Sequence, residues 1–143
     1  MSDYEFTVPI EPKGKARHST ANGRAYTPAK QVHWEQQFAL FASEHKPDSP
    51  LDGPIALYLT AVFSRPKRLM RKKDPPGRIF KDTKPDGDNV LKSVCAALNN
   101  QGWWRDDCQF AHMSCMKYYA GKEEAPKVSV RITSLKDLTL SED

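Results

Sequence analysis

KPDGDNVLKSVCAALNNQGWWRDDCQF, residues 84–110, holds four carboxylates in two tight pairs, Asp86/Asp88 and Asp106/Asp107, with a helical pattern between them. At 100° per residue, Val90, Leu91, Val94, Cys95 and Leu98 fall on one face, the stripe expected to meet a core. Asp88, Lys92 and Asn99 lie together on the flank of that stripe. Asp86 stands just before the first turn. The spacing predicts a helix over 88–99 that displays Asp86 and Asp88 at its N-terminus. Asp106 and Asp107 return at the start of the next strand, where a helix and its return loop can bring both pairs close in space.

The elements around this stretch set the fold class. Tyr4 to Ile10 alternates aromatic and β-branched residues with polar ones and reads as a strand. Lys13 to Arg24 is a basic loop with an Asn-Gly turn. Pro28 suits the first turn of a helix running to about His45, with Thr27 as N-cap and Val32, Trp34, Phe38, Phe41 and Ala42 on its buried face. Pro54 to Ser64 is a near-continuous apolar run, expected as a central strand. Arg65 to Lys84 contains Pro66, Pro75, Pro76 and Gly77, shows little helical or strand pattern, and reads as a mobile surface loop. Cys108–Ala120 and Lys127–Leu135 read as two closing strands joined by a turn near 121–126. Residues 136–143 read as a polar, frayed tail. The expected class is α/β (α+β): a small mixed sheet with two main helices packed on it, in the order β-α-β-loop-α-β-β. One domain spanning 1–143 is expected from the length.

Composition narrows the functional classes. The net charge is +4, with a pI of about 9.0. Between Arg65 and Lys84 nine basic residues face only Asp74 and Asp82, so this segment is more positive than the chain as a whole. Three cysteines without framework spacing argue against a disulfide scaffold and for a reducing compartment. No window is apolar enough to span a bilayer, and the N-terminus lacks a signal core. A soluble, cytoplasmic protein without a membrane partner is expected.

The acids have both a chemical and a bland reading. Mg²⁺ takes oxygen ligands, keeps several waters, and is commonly held by one or two carboxylates plus substrate phosphate. Lys92, one turn after Asp88, can reach the same place and neutralise charge developing on a phosphate. Alternatively, Asp86 or Asp88 caps the helix for about 1 kcal/mol. Asp88 and Lys92 could form an exposed i,i+4 pair worth a few tenths of a kcal/mol, and Asp106/Asp107 a turn. Each bland reading suffices for one residue; together they need three independent coincidences beside a basic segment.

The segment resembles the RusA family of Holliday junction resolvases. The residues that carry the resemblance are Asp86, Asp88-Asn89, Lys92, Ala97-Leu98, Asp106-Asp107 and Gln109. The resemblance implies a Mg²⁺-dependent endonuclease, with Mn²⁺ as a substitute metal, acting on four-way DNA junctions as a homodimer. By matching position it makes Asp86, Asp88 and Asp107 the catalytic metal-binding carboxylates and Lys92 the catalytic lysine. Asp106, the first of the double Asp, joins the metal set. Pro85 replaces the basic residue that some members carry before the first acid, and Lys81 and Lys84 supply that charge instead.

DNA contacts are expected from Arg71, Lys72, Lys73, Lys81 and Lys84 in the basic segment and from Lys13, Lys15 and Arg17 in the first loop, with His18 beside them. Trp103 and Trp104 could stack on unpaired bases, although such residues more often anchor a core or an interface. Cys108, His112 and Cys115 have no zinc-finger spacing. The expected function is resolution of four-way junctions by paired symmetric nicking in recombination and repair. The alternatives are a non-catalytic nucleic-acid-binding protein, or a nuclease for other branched or flap DNA.

Overall fold

A computed structural model describes residues 3–15, 19–21, 23–26 and 28–140, with the backbone alone for 19–21 and 24–26. Ile55–Phe63 forms strand β4, in which only Tyr58 and Thr60 escape full burial. A strand this apolar belongs inside a sheet, and β4 is the middle of five. The order is β1-β7-β4-β6-β5, where β1 is Asp3–Val8, β5 Ile79–Phe80, β6 Phe110–Tyr119 and β7 Lys127–Ser134. β7 runs antiparallel to both β1 and β4, β6 runs parallel to β4, and β5 pairs antiparallel with the end of β6. The expected mixed sheet with two main helices is therefore present. β6 and β7 are not neighbours, however: β4 lies between them, and residues 121–126 carry the chain across the sheet rather than closing a hairpin.

Helix α1 (Ala29–Ala42) and helix α2 (Gly87–Asn99) pack against each other, α1 against β1 and α2 against β6. Phe6, Val8, Leu57, Leu59, Val130 and Ile132 of the sheet meet Trp34, Phe38, Val94, Leu98 and Trp103 in one core. The opposite sheet face carries Glu5, Thr7, Tyr58, Thr60, Ser129 and Arg131 around an open concavity. Gln31, Trp34, Phe38 and Ala42 make the buried face of α1. Val32 and Phe41, expected there, are 39% and 40% exposed. The helical step puts Phe41 at the edge of that face and Val32 beyond it. The helix also stops short of His45, tightening into a 3-10 turn over Ser43–His45. Pro28 occupies its N-cap; Thr27 lies outside the described residues. The first loop contains a short hairpin that the sequence did not reveal: β2 (Ser19–Ala21) and β3 (Arg24–Tyr26), turning at Gly23 with φ 76°.

Residues 65–84 require the largest correction. The Arg65 guanidinium donates to the carbonyls of Leu69, Pro75 and Gly77 at 2.7, 2.6 and 2.8 Å. Lys122 donates to the Arg71 carbonyl at 2.6 Å. A 3-10 turn at Lys67–Leu69 and strand β5 lie within the same segment. Its order comes from charged side chains bonded to backbone carbonyls, which leave no periodic trace in the sequence. Glu124, in the β6–β7 connection, completes the assembly. It pairs with Arg78 at 2.6 Å and Lys127 at 3.2 Å, and accepts from the Gly121 N–H at 3.0 Å.

Two local features place the chemistry. Ile55 pairs with Phe110 but Ala56 with His112, so β6 carries one extra residue, Ala111, as a bulge. In addition, the arm after β1 crosses the start of α2, with the Lys15 N–H donating to the Asn89 carbonyl at 3.0 Å. There a Cβ on Gly14 would stand 2.6 Å from the Pro85 Cβ. Among the described residues, no helix is long and apolar enough to cross a membrane.

Two outcomes follow from these contacts. Gly14→Ala drives a methyl into a rigid ring and is expected to destabilise the fold by roughly 1–3 kcal/mol, read as a lower urea midpoint with an unchanged slope. Glu124 has its carboxyl lowered to about 2, chiefly by the Arg78 hydrogen bond. A depressed folded-state pKa contributes stability above the unfolded value of 4.5, and that contribution is lost as pH falls towards about 2. Glu124→Gln should therefore lower stability at neutral pH and flatten its fall between those two values, as measured by denaturation at a series of pH values.

Candidate active site

Asp86 is the N-cap residue of α2, with φ −65° and ψ 150°, but its side chain makes no capping hydrogen bond. Asp88 follows inside the first turn. Among the described residues neither Asp88 nor Lys92 has an ion-pair or hydrogen-bond partner, so the i,i+4 pair is not formed. The bland readings of these three residues are thus not the ones the structure adopts. Two carboxylates stand at the positive end of a helix, where negative charge is favoured, and neither serves the fold through a hydrogen bond. Gly87 lets this turn lie close on β6: a Cβ there would be 3.6 Å from that of Cys115.

Asp88, Leu91, Lys92 and Cys95 form one wall of a pocket of about 280 Å³, and Asp107, Phe110 and Met113 form the other. Strict alternation would send Phe110 and Met113 to opposite faces of β6. The bulge at Ala111 lets both enter the pocket. Burial, followed by the charge of Asp107, pushes the Cys95 thiol up to about 12, so this wall is a neutral thiol. Leu91, Cys95, Phe110 and Met113 give the pocket its apolar lining, and its charged residues, Asp88, Lys92 and Asp107, are exposed.

The double Asp divides its work. The indole N–H of Trp104 donates to Asp107 Oδ1 at 2.8 Å, and Trp104 is itself packed edge-on against Phe110. Asp106 instead caps a 3-10 turn over Asp107–Gln109. Its carboxylate accepts from the Cys108 N–H at 2.9 Å, which lowers its pKa, and the Gln109 side chain accepts from the Asp106 N–H. Gln109 also donates to the carbonyls of Leu51 and Gly53, fastening the turn to the chain that enters β4. Asp106 does not line the pocket and holds the turn on which Asp107 is displayed. Trp103 and Trp104 are both buried, at 0% and 4% exposure, so neither offers a face to a base.

Asp86 borders a second concavity, of about 610 Å³, with Lys13, Lys15, Lys84, Pro85 and Asn89. Lys13 and Lys84 are unpaired there among the described residues, whereas Lys15 is bound to Glu35 at 3.1 Å. Arg71 is held by Asp74. Lys81 lies over the rings of Phe63 and Tyr119 and donates to Thr83 at 2.5 Å. Lys72 and Lys73 project into solvent. Among the described residues, the expected DNA-contact residues therefore separate into cations without a partner (Lys13, Lys72, Lys73, Lys84) and cations already engaged (Lys15, Arg71, Lys81). Arg17 and His18 lie outside the described residues.

Among the described residues, no three His, Cys, Asp or Glu side chains are gathered as a ready ligand cage. His112 packs on Tyr58 of the open sheet face, while Cys115 faces α2. The carboxylates bordering the pocket nevertheless have the chemistry of a hard-cation site. Mg²⁺ requires only one or two of them when phosphate and water complete its shell, and Asp88 and Asp107 are the two that line the pocket. Three features were missed from the sequence: the Trp104 bond to Asp107, the apolar pocket walls, and the contacts of Lys117 described below. Only the first had a local signal, an indole three residues before the acid.

The chain is similar to known proteins. The chain is 34% identical over 141 residues to the uncharacterized protein YqaN of Bacillus subtilis (strain 168), covering 92% of this chain and 96% of that protein. Residues 9–133 match the family model described as endodeoxyribonuclease RusA, a span running from the end of β1 to the end of β7 and enclosing both concavities. A mixed sheet with a parallel β4–β6 pair, two helices on one face and the acids at the start of α2 is thus the fold of a chain that belongs to the RusA endodeoxyribonuclease family.

Proposed function

We propose that this protein is a Mg²⁺-dependent, structure-selective endonuclease that resolves four-way DNA junctions by paired symmetric nicks. The observation that carries the reading is the set of side chains not used by the fold. Among the described residues Asp86, Asp88 and Lys92 make no side-chain hydrogen bond or ion pair, and Asp107 faces Asp88 and Lys92 across the pocket. Asp88 and Asp107 would hold the ion, and Asp86 would add a carboxylate from the neighbouring groove. When bound, Mg²⁺ polarises the phosphoryl oxygen and lowers the pKa of an attacking water.

The chain's own residues do the rest. Lys92 lines the same pocket wall as Asp88, where its ammonium would neutralise charge developing on the phosphate. The Trp104 indole fixes the rotamer of Asp107. Lys13 and Lys84 line the adjoining groove as phosphate contacts, and Lys72 and Lys73 extend the positive surface. A two-fold homodimer would present two such sites to strands of like polarity, which suits symmetric nicking. Recombination and repair are the processes that such a reaction serves.

The deciding experiment mixes wild type and Asp88→Asn with a synthetic four-way junction, with and without Mg²⁺. Wild type should make paired nicks only with the metal. Loss of outer-sphere partners alone typically costs 10–100-fold, so Asp88→Asn should cut more than about 100-fold more slowly while still binding the junction. Equal cutting by both proteins would overturn the assignment, and binding without cutting by wild type would favour a non-catalytic role. A parallel titration tests the surface charge: neutralising Lys72 and Lys73 together should reduce the salt slope of binding by about 1–2, with no change in the metal requirement.

A further inference from the structure

Lys117 lies on β6 among residues that face α2, and it touches the active-site loop at three points. Its ammonium donates to the carbonyls of Thr83 and Pro85 at 2.6 and 2.7 Å. Its own carbonyl accepts from the Lys81 N–H at 3.0 Å. One strand residue therefore grips segment 81–85 at both ends, and the second grip lies on the residue immediately before Asp86. Among the described residues Lys117 has no carboxylate partner, although a half-buried ammonium ordinarily takes one. Its charge is satisfied by backbone dipoles, in bonds stronger than those between neutral groups.

We infer that Lys117 is a positioning residue, which fixes the Asp86–Asp88 carboxylates by clamping the loop that leads into α2. This rests on the proposed role of those carboxylates. Near Asp86 the chain is also held by the close approach of Gly87 to Cys115 on β6. Thr83 bonds the Tyr119 hydroxyl at 2.9 Å, and Pro85 stands against Gly14. Neither contact reaches the Pro85 carbonyl, which sets the direction in which the chain enters Asp86. Without the clamp, Asp86 and Asp88 would sample several positions relative to Asp107, whose own place is set independently by Trp104 and Gln109. A displacement of about 1 Å at a catalytic group can cost on the order of 100-fold in rate.

The test compares full-length wild type, Lys117→Met and Lys117→Arg. Hydrogen exchange of residues 83–90 should be at least about 10-fold faster in Lys117→Met, with β4 and β7 unchanged. Single-turnover cutting of a four-way junction at saturating protein should fall about 10- to 100-fold. Junction affinity without Mg²⁺ should stay within about twofold, and so should its salt slope. Lys117→Arg keeps the charge and donors and should recover part of both the exchange protection and the rate. Unchanged exchange and rate in Lys117→Met would overturn the inference. So would a loss confined to binding with a reduced salt slope, which would make Lys117 a phosphate contact. Equally faster exchange throughout the sheet would also overturn it, as the sign of a general core residue. If wild type cuts no junction, the proposed function fails, while the exchange comparison still decides whether Lys117 fixes the loop.

Discussion

Parallel pairing of β4 with β6 is the constraint on which the site depends. Antiparallel strands can be joined by a tight turn, but parallel ones need a crossover long enough to return the chain to the same end. Here the crossover runs from the end of β4 at Phe63 to the start of β6 at Phe110 and contains the three acids and the lysine of the proposed chemistry. Lying along β6, α2 sets Asp88 and Lys92 on one wall of the pocket. The descending chain must then turn back into β6, and that turn carries Asp107 to the opposite wall. The acids are distant in sequence because the crossover is long, and close in space because it has to come back.

Much of this was legible in the sequence. The near-continuous apolar run over 54–64 identified β4 as central, and the stripe through Val90, Val94 and Leu98 gave α2 its core face, to which the structure adds Ser93 and Ala97. The spacing of the acids marked the proposed site. What escaped shares one physical cause. Arg65 and Lys117 act on backbone carbonyls, and a carbonyl is the same at every residue, so no sequence pattern records which ones are bound. The bulge at Ala111 is similarly silent: the strand reads as regular, and only pairing against β4 shows the extra residue. Val32 and Phe41 illustrate a different limit. Several apolar residues of α1 could have faced inward, and the choice of Gln31 over Val32 depends on Ser93 and Glu35, which lie across the packed helices or along the same one.

The charged residues separate by what they hold. Glu35, Asp74, Glu124 and Asp106 are engaged with cations or backbone amides and maintain loops and turns. Among the described residues, Asp86, Asp88 and Lys92 make no side-chain hydrogen bond or ion pair. All three are exposed to solvent, so their charge costs the fold little and is open to a ligand. That contrast distinguishes the four acids of the opening segment better than their spacing does. It assigns Asp106, adjacent to Asp107 in sequence, to architecture.

The Arg65 staple bears on how this protein would respond to its medium. Ions screen charges separated by more than about 10 Å at 0.1 M salt, which weakens the pull of exposed lysines on a polyanion. A guanidinium in direct contact with carbonyl oxygens at 2.6–2.8 Å leaves no room for an intervening ion. Concentrated electrolyte should therefore release the polyanion without relaxing the platform that Arg65 holds together. Grip and shape are governed by different ranges of the same force, and a change in the cell's ionic composition could adjust one while leaving the other intact.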